Sequence, residues 1–395
     1  MKDRTRATVA GRRPSAQHGA ISTPVTHAST ILQPNLAAWR ASRKVRYGDG
    51  VTYGVHGTPG TYALEEAIAA LEGGHRTRLC QSGLAAVTGA LLAYLSAGDH
   101  LLMVDSCYEP TRRFCDGMLR RLGVETTYYD PLIDPEGLEE LLQPNTRVLF
   151  LESPGSLTFE VQDVPALAAV ANDIGVWCLL DNTWASPLFF KPFEHGVDVS
   201  IQAVTKYISG HGDLVLGSVT ANKAAYPRLQ KCWGELGHSV GPDDAYLALR
   251  GFRTIGVRMA HHEAAGIQVA DWLEGQPEVL EVMHPGRPGD PGHALWRRDF
   301  LGASGLFGFV LAAEAATDAK LAALVDNLDL FGLGASWAGF MSLMIPADPR
   351  SNRAATPWPR PGRPNGQAMR VSIGLEDPGD LIDDLRAGFE RLRNA

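Results

Sequence analysis

The stretch WCLLDNTWASPLFF (177–190), continued by KPFEHGVDVSIQAVTKYISGHGD (191–213), decides the fold. Two apolar runs, 176–180 and 197–201, have the length and β-branched content of buried parallel strands. The first ends in Asp181-Asn182-Thr183-Trp184. The second runs into Thr205-Lys206-Tyr207 and the turn-rich Ser209-Gly210-His211-Gly212-Asp213. Ligands of open α/β sheets bind beyond the carboxyl ends of the strands, so Asp181 and Lys206 are expected to point into one crevice. Taken singly, each has an ordinary alternative: a strand-end aspartate and a solvated loop lysine.

Working outward, strand and helix patterns alternate. Helical texture from Tyr62 stops at Gly73-Gly74, a C-cap signal. A short strand, Arg78–Cys80, leads through Gln81-Ser82-Gly83-Leu84 into a second helix. A helix N-terminus offers unpaired backbone N–H groups and a positive dipole end, and Gly83 allows close backbone approach, so an anion such as phosphate suits Ser82, Gly83 and Leu84. The same Ser-Gly pair is equally a routine N-cap. Further strands are expected at His100–Val104, Val124–Tyr128, Arg147–Leu151 and Leu214–Thr220. Helical segments near 111–122, 135–142 and 165–174 lie between the earlier ones. The repeated βα unit predicts an α/β fold with a mostly parallel central sheet and helices on both faces. Tyr108 falls at a strand's carboxyl end, where an aromatic can stack on a planar ligand or be an ordinary half-buried loop residue.

An acid, a lysine, an anion cup and an aromatic at one sheet edge suit pyridoxal phosphate (PLP). The amine attaches the cofactor covalently, and the acid pairs with its pyridine nitrogen.

Composition narrows the partners. A chain of 395 residues with 45% hydrophobic residues is long enough for more than one domain, and a net charge of −8 argues against nucleic acid. The five cysteines form no CxxC pair, which reads as reduced thiols with neither a disulfide framework nor a zinc site. No apolar run approaches the roughly 18 residues of a membrane span. The N-terminus lacks the apolar core of a signal peptide, and the expected location is the cytoplasm.

Three divisions are expected: an N-terminal arm over 1–60 with no sustained period, a large domain over 61–250, and a smaller C-terminal α+β domain over 251–395. One long helical pattern near 242–274 joins the last two, with strands at 305–313 and 369–373 and helices at 317–328 and 378–392. His261-His262 is a poor metal pair, because adjacent helical residues face different ways. The Pro/Arg-rich segment 348–367 reads as a solvent-exposed loop.

The motifs QSGLAAV (81–87), GDHLLMVDSCYEP (98–110), NTRVLFLESPGS (145–156), DNTWAS (181–186), DVSIQAVTKYISGHGD (198–213), LRGFRTIGVRM (249–259) and RVSIGLED (370–377) resemble the Cys/Met-metabolism family of PLP enzymes. The likeness runs from about His18 to the C-terminus. It implies PLP fold type I (aspartate aminotransferase-like), a homo-oligomer built as a dimer of dimers, and active sites shared between subunits. By motif, Lys206 resembles the cofactor-attaching lysine and Asp181 the partner of the pyridine nitrogen. Tyr108 resembles the ring-stacking residue. Gly83, Leu84 and Thr205 match phosphate-binding positions. Tyr53 matches a tyrosine lent by the neighbouring subunit, and Arg370 the arginine holding the substrate α-carboxylate. Ser336-Trp337 matches a pair at the mouth of the β-lyase branch. No metal is implied.

Departures exist. Where relatives commonly carry Tyr-Gly-Arg, this chain has Tyr53-Gly54-Val55-His56, and Met341 replaces a usual acid. The synthase and γ-lyase branches usually carry a serine shortly before the lysine, where Ala203-Val204 stand here. The implied activity is a C–S β-lyase cleaving L-cystathionine or a related S-substituted L-cysteine to a thiol, pyruvate and ammonia. The alternatives are a γ-lyase or γ-synthase and, more remotely, a PLP-binding regulatory protein.

Overall fold

A computed structural model describes every residue of the chain except Arg46, Gly48 and Asp49. Among the described residues, seven strands form one sheet: β1 (Arg76–Cys80), β2 (His100–Val104), β3 (Glu125–Tyr129), β4 (Thr146–Glu152), β5 (Trp177–Asp181), β6 (Val199–Gln202) and β7 (Gly217–Ala221). Their order is β1-β7-β6-β5-β4-β2-β3. Pairings from β3 through β6 are parallel, whereas β7 runs antiparallel to both β6 and β1. The reversal has a simple cause. No crossover helix separates β6 from β7; residues 203–216 fold back directly, and a strand returning beside its predecessor without a crossover is antiparallel. That returning segment carries Lys206.

The central strands are buried on both faces, as β2 and β7 show at every position. This is why they read as continuous apolar runs. The helix Gly83–Tyr94 packs on β6 and β7, and Val164–Asp173 on β5.

A second sheet, entirely antiparallel, has the order β10-β11-β9-β8, with β8 Val279–Met283, β9 Leu306–Ala312, β10 Leu343–Ala347 and β11 Gly366–Ser372. Its apolar face, including Phe307, Phe309, Met369 and Val371, packs with Leu381, Leu385 and Phe389 of the C-terminal helix Pro378–Asn394. Asp377 caps that helix through Gly379 N–H (2.7 Å), and Pro378 fills its first position.

Three expectations need correction. The pattern near 242–274 is two helices, Pro242–Phe252 and Ile255–Glu274. Gly251 lies so close to Ser209 O that a Cβ there would sit 2.0 Å from it, and Thr254 Oγ1 turns back to donate to Gly251 O (3.0 Å). The chain therefore bends where it passes the lysine loop.

The arm begins with an anchored helix, Asp3–Val9. Ala7 is buried, Arg253 donates to Ala7 O and Ala10 O (2.9 and 2.7 Å), and Asp3 pairs with the buried Lys191 at 3.0 Å.

The segment 348–367 is docked, with Asn352 and Thr356 buried. Arg353 and Arg360 both pair with Glu160, and Arg360 also with Asp130. Charge neutralisation by acids far away in sequence is what turns an Arg-rich stretch inward.

Candidate active site

β5 ends at Asp181, which is in register with Glu152 of β4 and with Ile201 of β6. Asp181 Oδ1 accepts from Thr183 N (3.0 Å) and from Thr183 Oγ1 (2.6 Å). The same hydroxyl accepts from Ala203 N (2.9 Å), so Thr183 fastens the acid to the first residue of the returning loop. Burial raises the Asp181 pKa, and the bonds from Thr183 only partly offset it. A buried, under-compensated carboxylate is poised to receive a cation.

The loop after β6 is a series of tight turns. Lys206 N donates to Ala203 O (2.9 Å) and Gly210 N to Lys206 O (2.8 Å). Thr205 Oγ1 donates to Leu216 O (3.1 Å) and accepts from Leu216 N (2.9 Å), closing the loop at its base. Beneath it, buried Tyr207 accepts from Gly305 N (3.1 Å) and lies edge-on to His262 and Trp337. Lys206 Nζ donates to Ser336 Oγ (2.7 Å) and lies 5.1 Å from the Trp337 ring centre. Burial, and then the nearby Arg370 cation, push the Lys206 amine down to about 8. An amine with that pKa is partly unprotonated near neutrality, as a nucleophile or general base must be.

Arg370, on β11, donates through Nη2 to the carbonyls of Gly334, Ala335 and Ser336 at 3.2, 2.9 and 3.0 Å. Its Nε and Nη1 make no hydrogen bond to the described residues, so donors on the guanidinium remain for a further acceptor such as a carboxylate. Arg370 and Lys206 thus meet the same segment, Gly334–Ser336.

Tyr108 follows β2 and begins the helix Glu109–Phe114. Tyr108 is 48% exposed, while its N–H donates to Glu152 Oε2 (2.8 Å). Glu152 is held well above the usual carboxylate range by burial and by the neighbouring Asp181 charge.

Ser82 caps the helix Gly83–Tyr94, its Oγ accepting from Ala85 N (3.0 Å). The N–H groups of Gly83 and Leu84 have no partner within that helix. A Cβ at Gly83 would lie 2.7 Å from Ala203 Cβ, so the helix start abuts the base of the lysine loop and only glycine permits the approach. The helix N-terminus therefore borders the loop that carries Lys206.

Tyr53 is not part of this cluster. Its hydroxyl makes no hydrogen bond to the described residues, and its half-exposed ring packs edge-on against His56. The adjacent pair His261 and His262 contacts the carbonyls of Glu376 (3.2 Å) and Ile373 (2.9 Å). Thr183 and Glu152 join the site although the resemblance implies no role for either; they stand within DNTWAS and NTRVLFLESPGS. The one signal for them is a polar residue at, or two beyond, the end of a buried parallel strand.

The donor set suits pyridoxal phosphate: free helix N–H groups for a dianion, a buried acid for a pyridinium, and a depressed amine for an aldehyde. The comparisons agree. The chain is 50% identical over 387 residues to a Rhizobium johnstonii protein named for cystathionine beta-lyase, covering 98% of this chain and 95% of that one. It is 40% identical to the cystathionine beta-lyase of Escherichia coli, covering 97% of each. The crystal structure of cystathionine gamma synthase from Xanthomonas oryzae, in complex with aminoacrylate and cysteine, superposes with a TM-score of 0.89 at 29% identity, covering 100% of this chain and 99% of that one. With residues 4–390 matching its pattern, the chain belongs to the Cys/Met metabolism PLP-dependent enzyme family.

Proposed function

We propose that the protein is a PLP-dependent C–S β-lyase acting on L-cystathionine or a related S-substituted L-cysteine. The carrying observation is the meeting of Lys206 and Arg370 at Gly334–Ser336: an amine with a pKa near 8 beside a half-free guanidinium. That is the pairing needed to hold an amino acid by its α-carboxylate while removing its α-proton. Bound PLP supplies an electron sink for the charge left at the α-carbon. Around it, Gly83 and Leu84 N–H groups with Ser82 and Thr205 receive the phosphate, Asp181 holds a proton at the pyridine nitrogen, and Tyr108 covers the ring. Arg370 takes the substrate carboxylate, Lys206 Nζ accepts the α-proton, and Ser336 with Trp337 borders the space for the departing thiol. Loss of the thiolate from Cβ, protonated as it leaves, leaves a three-carbon fragment that water hydrolyses to pyruvate and ammonia; with cystathionine, the thiol is homocysteine.

The wider reading includes a cytoplasmic location and the three divisions 1–60, 61–250 and 251–395. It also includes a dimer of dimers in which Tyr53 serves the neighbouring chain's phosphate. Leu32 (88% exposed) and Trp39 (47% exposed) on the arm support a second chain as its partner. Among the described residues, no helix is long and apolar enough to cross a membrane.

Incubation with cystathionine and identification of the keto acid tests the reaction. Pyruvate supports the β-lyase; 2-oxobutyrate would move the assignment to γ-elimination, and no turnover of any S-substituted cysteine would overturn it.

A further inference from the structure

The connection between β10 and β11 is far longer than its geometry requires. The two strands are adjacent and antiparallel, yet residues 348–365 separate them, where such pairs commonly need about 2–5. The excess chain crosses to the first sheet and grips the turn after β2. Asp105, buried at the end of that strand, accepts from Ala354 N (2.8 Å), Ala355 N (3.0 Å), Thr356 N (2.8 Å) and Thr356 Oγ1 (3.0 Å), and also pairs with Arg112. Asn352 Nδ2 donates to Cys107 O (3.0 Å), the carbonyl immediately before Tyr108. Burial alone would raise the Asp105 pKa; the N–H groups of Ala354 and Thr356 and the Arg112 guanidinium outweigh it and hold the carboxyl below its ordinary value.

We propose that Asn352 and Thr356 are positioning residues for Tyr108, and that the 348–365 strap fixes the ring-covering tyrosine to the hairpin that carries Arg370. The turn 105–108 is held at four successive residues: Asp105 by the strap backbone and Thr356, Ser106 O by Ser156 N (2.7 Å), Cys107 O by Asn352, and Tyr108 N by Glu152. The half-exposed Tyr108 ring has little packing to fix it, so its placement depends on the backbone it stands on. Because β11 bears Arg370 and the strap leaves β10, one hairpin sets both the carboxylate-binding cation and the aromatic cover. A shift of about 1 Å in such a group costs up to ~100-fold in rate. The inference rests on Tyr108 covering the cofactor ring, as in the proposed function.

The test compares holoenzymes of the wild type, Asn352→Ala, Asn352→Asp, Thr356→Val and, as control, Arg360→Gln. Arg360 anchors the same strap to Glu160 and Asp130 and makes no bond to residues 105–108. Visible circular dichroism of the bound cofactor reports the ring's surroundings, and titration of the apoprotein with PLP reports affinity. All variants are expected to lose thermal stability. Only the Asn352 and Thr356 variants should change the visible dichroism by about twofold or more, and weaken PLP roughly 10-fold with kcat falling more than KM rises. Thr356→Val preserves shape and serves if the Asn352 variants do not fold. Dichroism and PLP affinity matching those of Arg360→Gln would overturn the inference while leaving the function intact. A wild type that binds no PLP would instead overturn the function, and the inference with it.

Discussion

Lys206 Nζ donates to Ser336 Oγ across 2.7 Å, joining the loop that returns from β6 to the segment braced by Arg370. With burial and Arg370 lowering the amine to about 8, the cofactor-free chain should react with pyridoxal phosphate at a rate that rises with pH about a midpoint near 8 rather than the ordinary 10.5. Sodium borohydride should then fix the cofactor to Lys206, and Lys206→Ala should show neither the link nor turnover. Ser336 accepts from the amine and so favours its charged form; Ser336→Ala should move the midpoint down. A wild-type midpoint near 10, or an upward move in Ser336→Ala, would contradict this geometry.

Arg370→Lys keeps the charge but loses the planar guanidinium, whose Nη2 serves three carbonyls and whose remaining donors are proposed for the substrate carboxylate. A lost charge-assisted hydrogen bond is worth about 1.5–3 kcal/mol, so kcat/KM should fall by roughly 10- to 100-fold. The fall should be shared by every amino-acid substrate, since all present the same carboxylate. Steady-state kinetics with cystathionine and a smaller S-alkyl cysteine checks this. A defect confined to cystathionine would place Arg370 at the distal end.

Much of this arrangement is legible from the sequence, for a local reason. Asp181 and the Thr205-Lys206 pair directly follow short buried strands, and the carboxyl-end rule then brings them together without tertiary knowledge. What is not legible depends on distant partners. The strap 348–365 reads as exposed because its composition is Pro- and Arg-rich; its burial is decided by Asp105, 249 residues from Ala354, and by Glu160, 193 residues from Arg353. Glu152 is hidden for a related reason. A carboxylate closing a strand is ordinary until the register sets it beside Asp181 and the turn brings Tyr108 N–H onto it. The bend at Arg253-Thr254 is likewise imposed from outside, by the approach of Ser209 to Gly251.

A second buried carboxylate gives a stability prediction. Glu72 Oε1 accepts from Gln202 Nε2 (2.9 Å), while Glu72 Oε2, Asn182 Oδ1 and Ser200 Oγ lack partners among the described residues. A proton on Glu72 supplies the donor this cluster needs. Burial raises the pKa from 4.5 to about 7, against smaller opposing contributions from Ser200, Gln202, Lys191 and Asn182. The folded chain thus binds this proton more tightly than the unfolded one. Its stabilisation is fully present below about pH 4.5 and is lost as pH rises through about 7. At 1.36 kcal/mol per unit, the effect is at most about 3 kcal/mol. Glu72→Gln should therefore flatten the thermal midpoint between pH 5 and 8 and raise it at pH 8, as scanning calorimetry would show. A variant less stable than wild type at pH 8 would mean that the charged form is the one the fold prefers.

The remaining prediction concerns Tyr53, which lies outside the cluster around Lys206 within its own chain. The residue is 48% exposed and its hydroxyl is unbonded to the described residues, as expected of a group whose partner belongs to another subunit. If Tyr53 binds the neighbour's cofactor phosphate, Val55 stands where the family resemblance implies an arginine, and that phosphate would have one cationic contact fewer. A missing charge-assisted hydrogen bond costs about 1.5–3 kcal/mol, so Val55→Arg should tighten PLP by roughly 10-fold or more in equilibrium dialysis of the apoprotein. The in-trans arrangement has an independent check. Tyr53→Phe and Lys206→Ala chains, each impaired alone, are mixed and allowed to exchange. In a mixed dimer one site receives Tyr53 from the Lys206→Ala chain and Lys206 from the Tyr53→Phe chain, so activity should rise above the sum of the two parents. Proven exchange without any rise would show that each site is completed within a single chain.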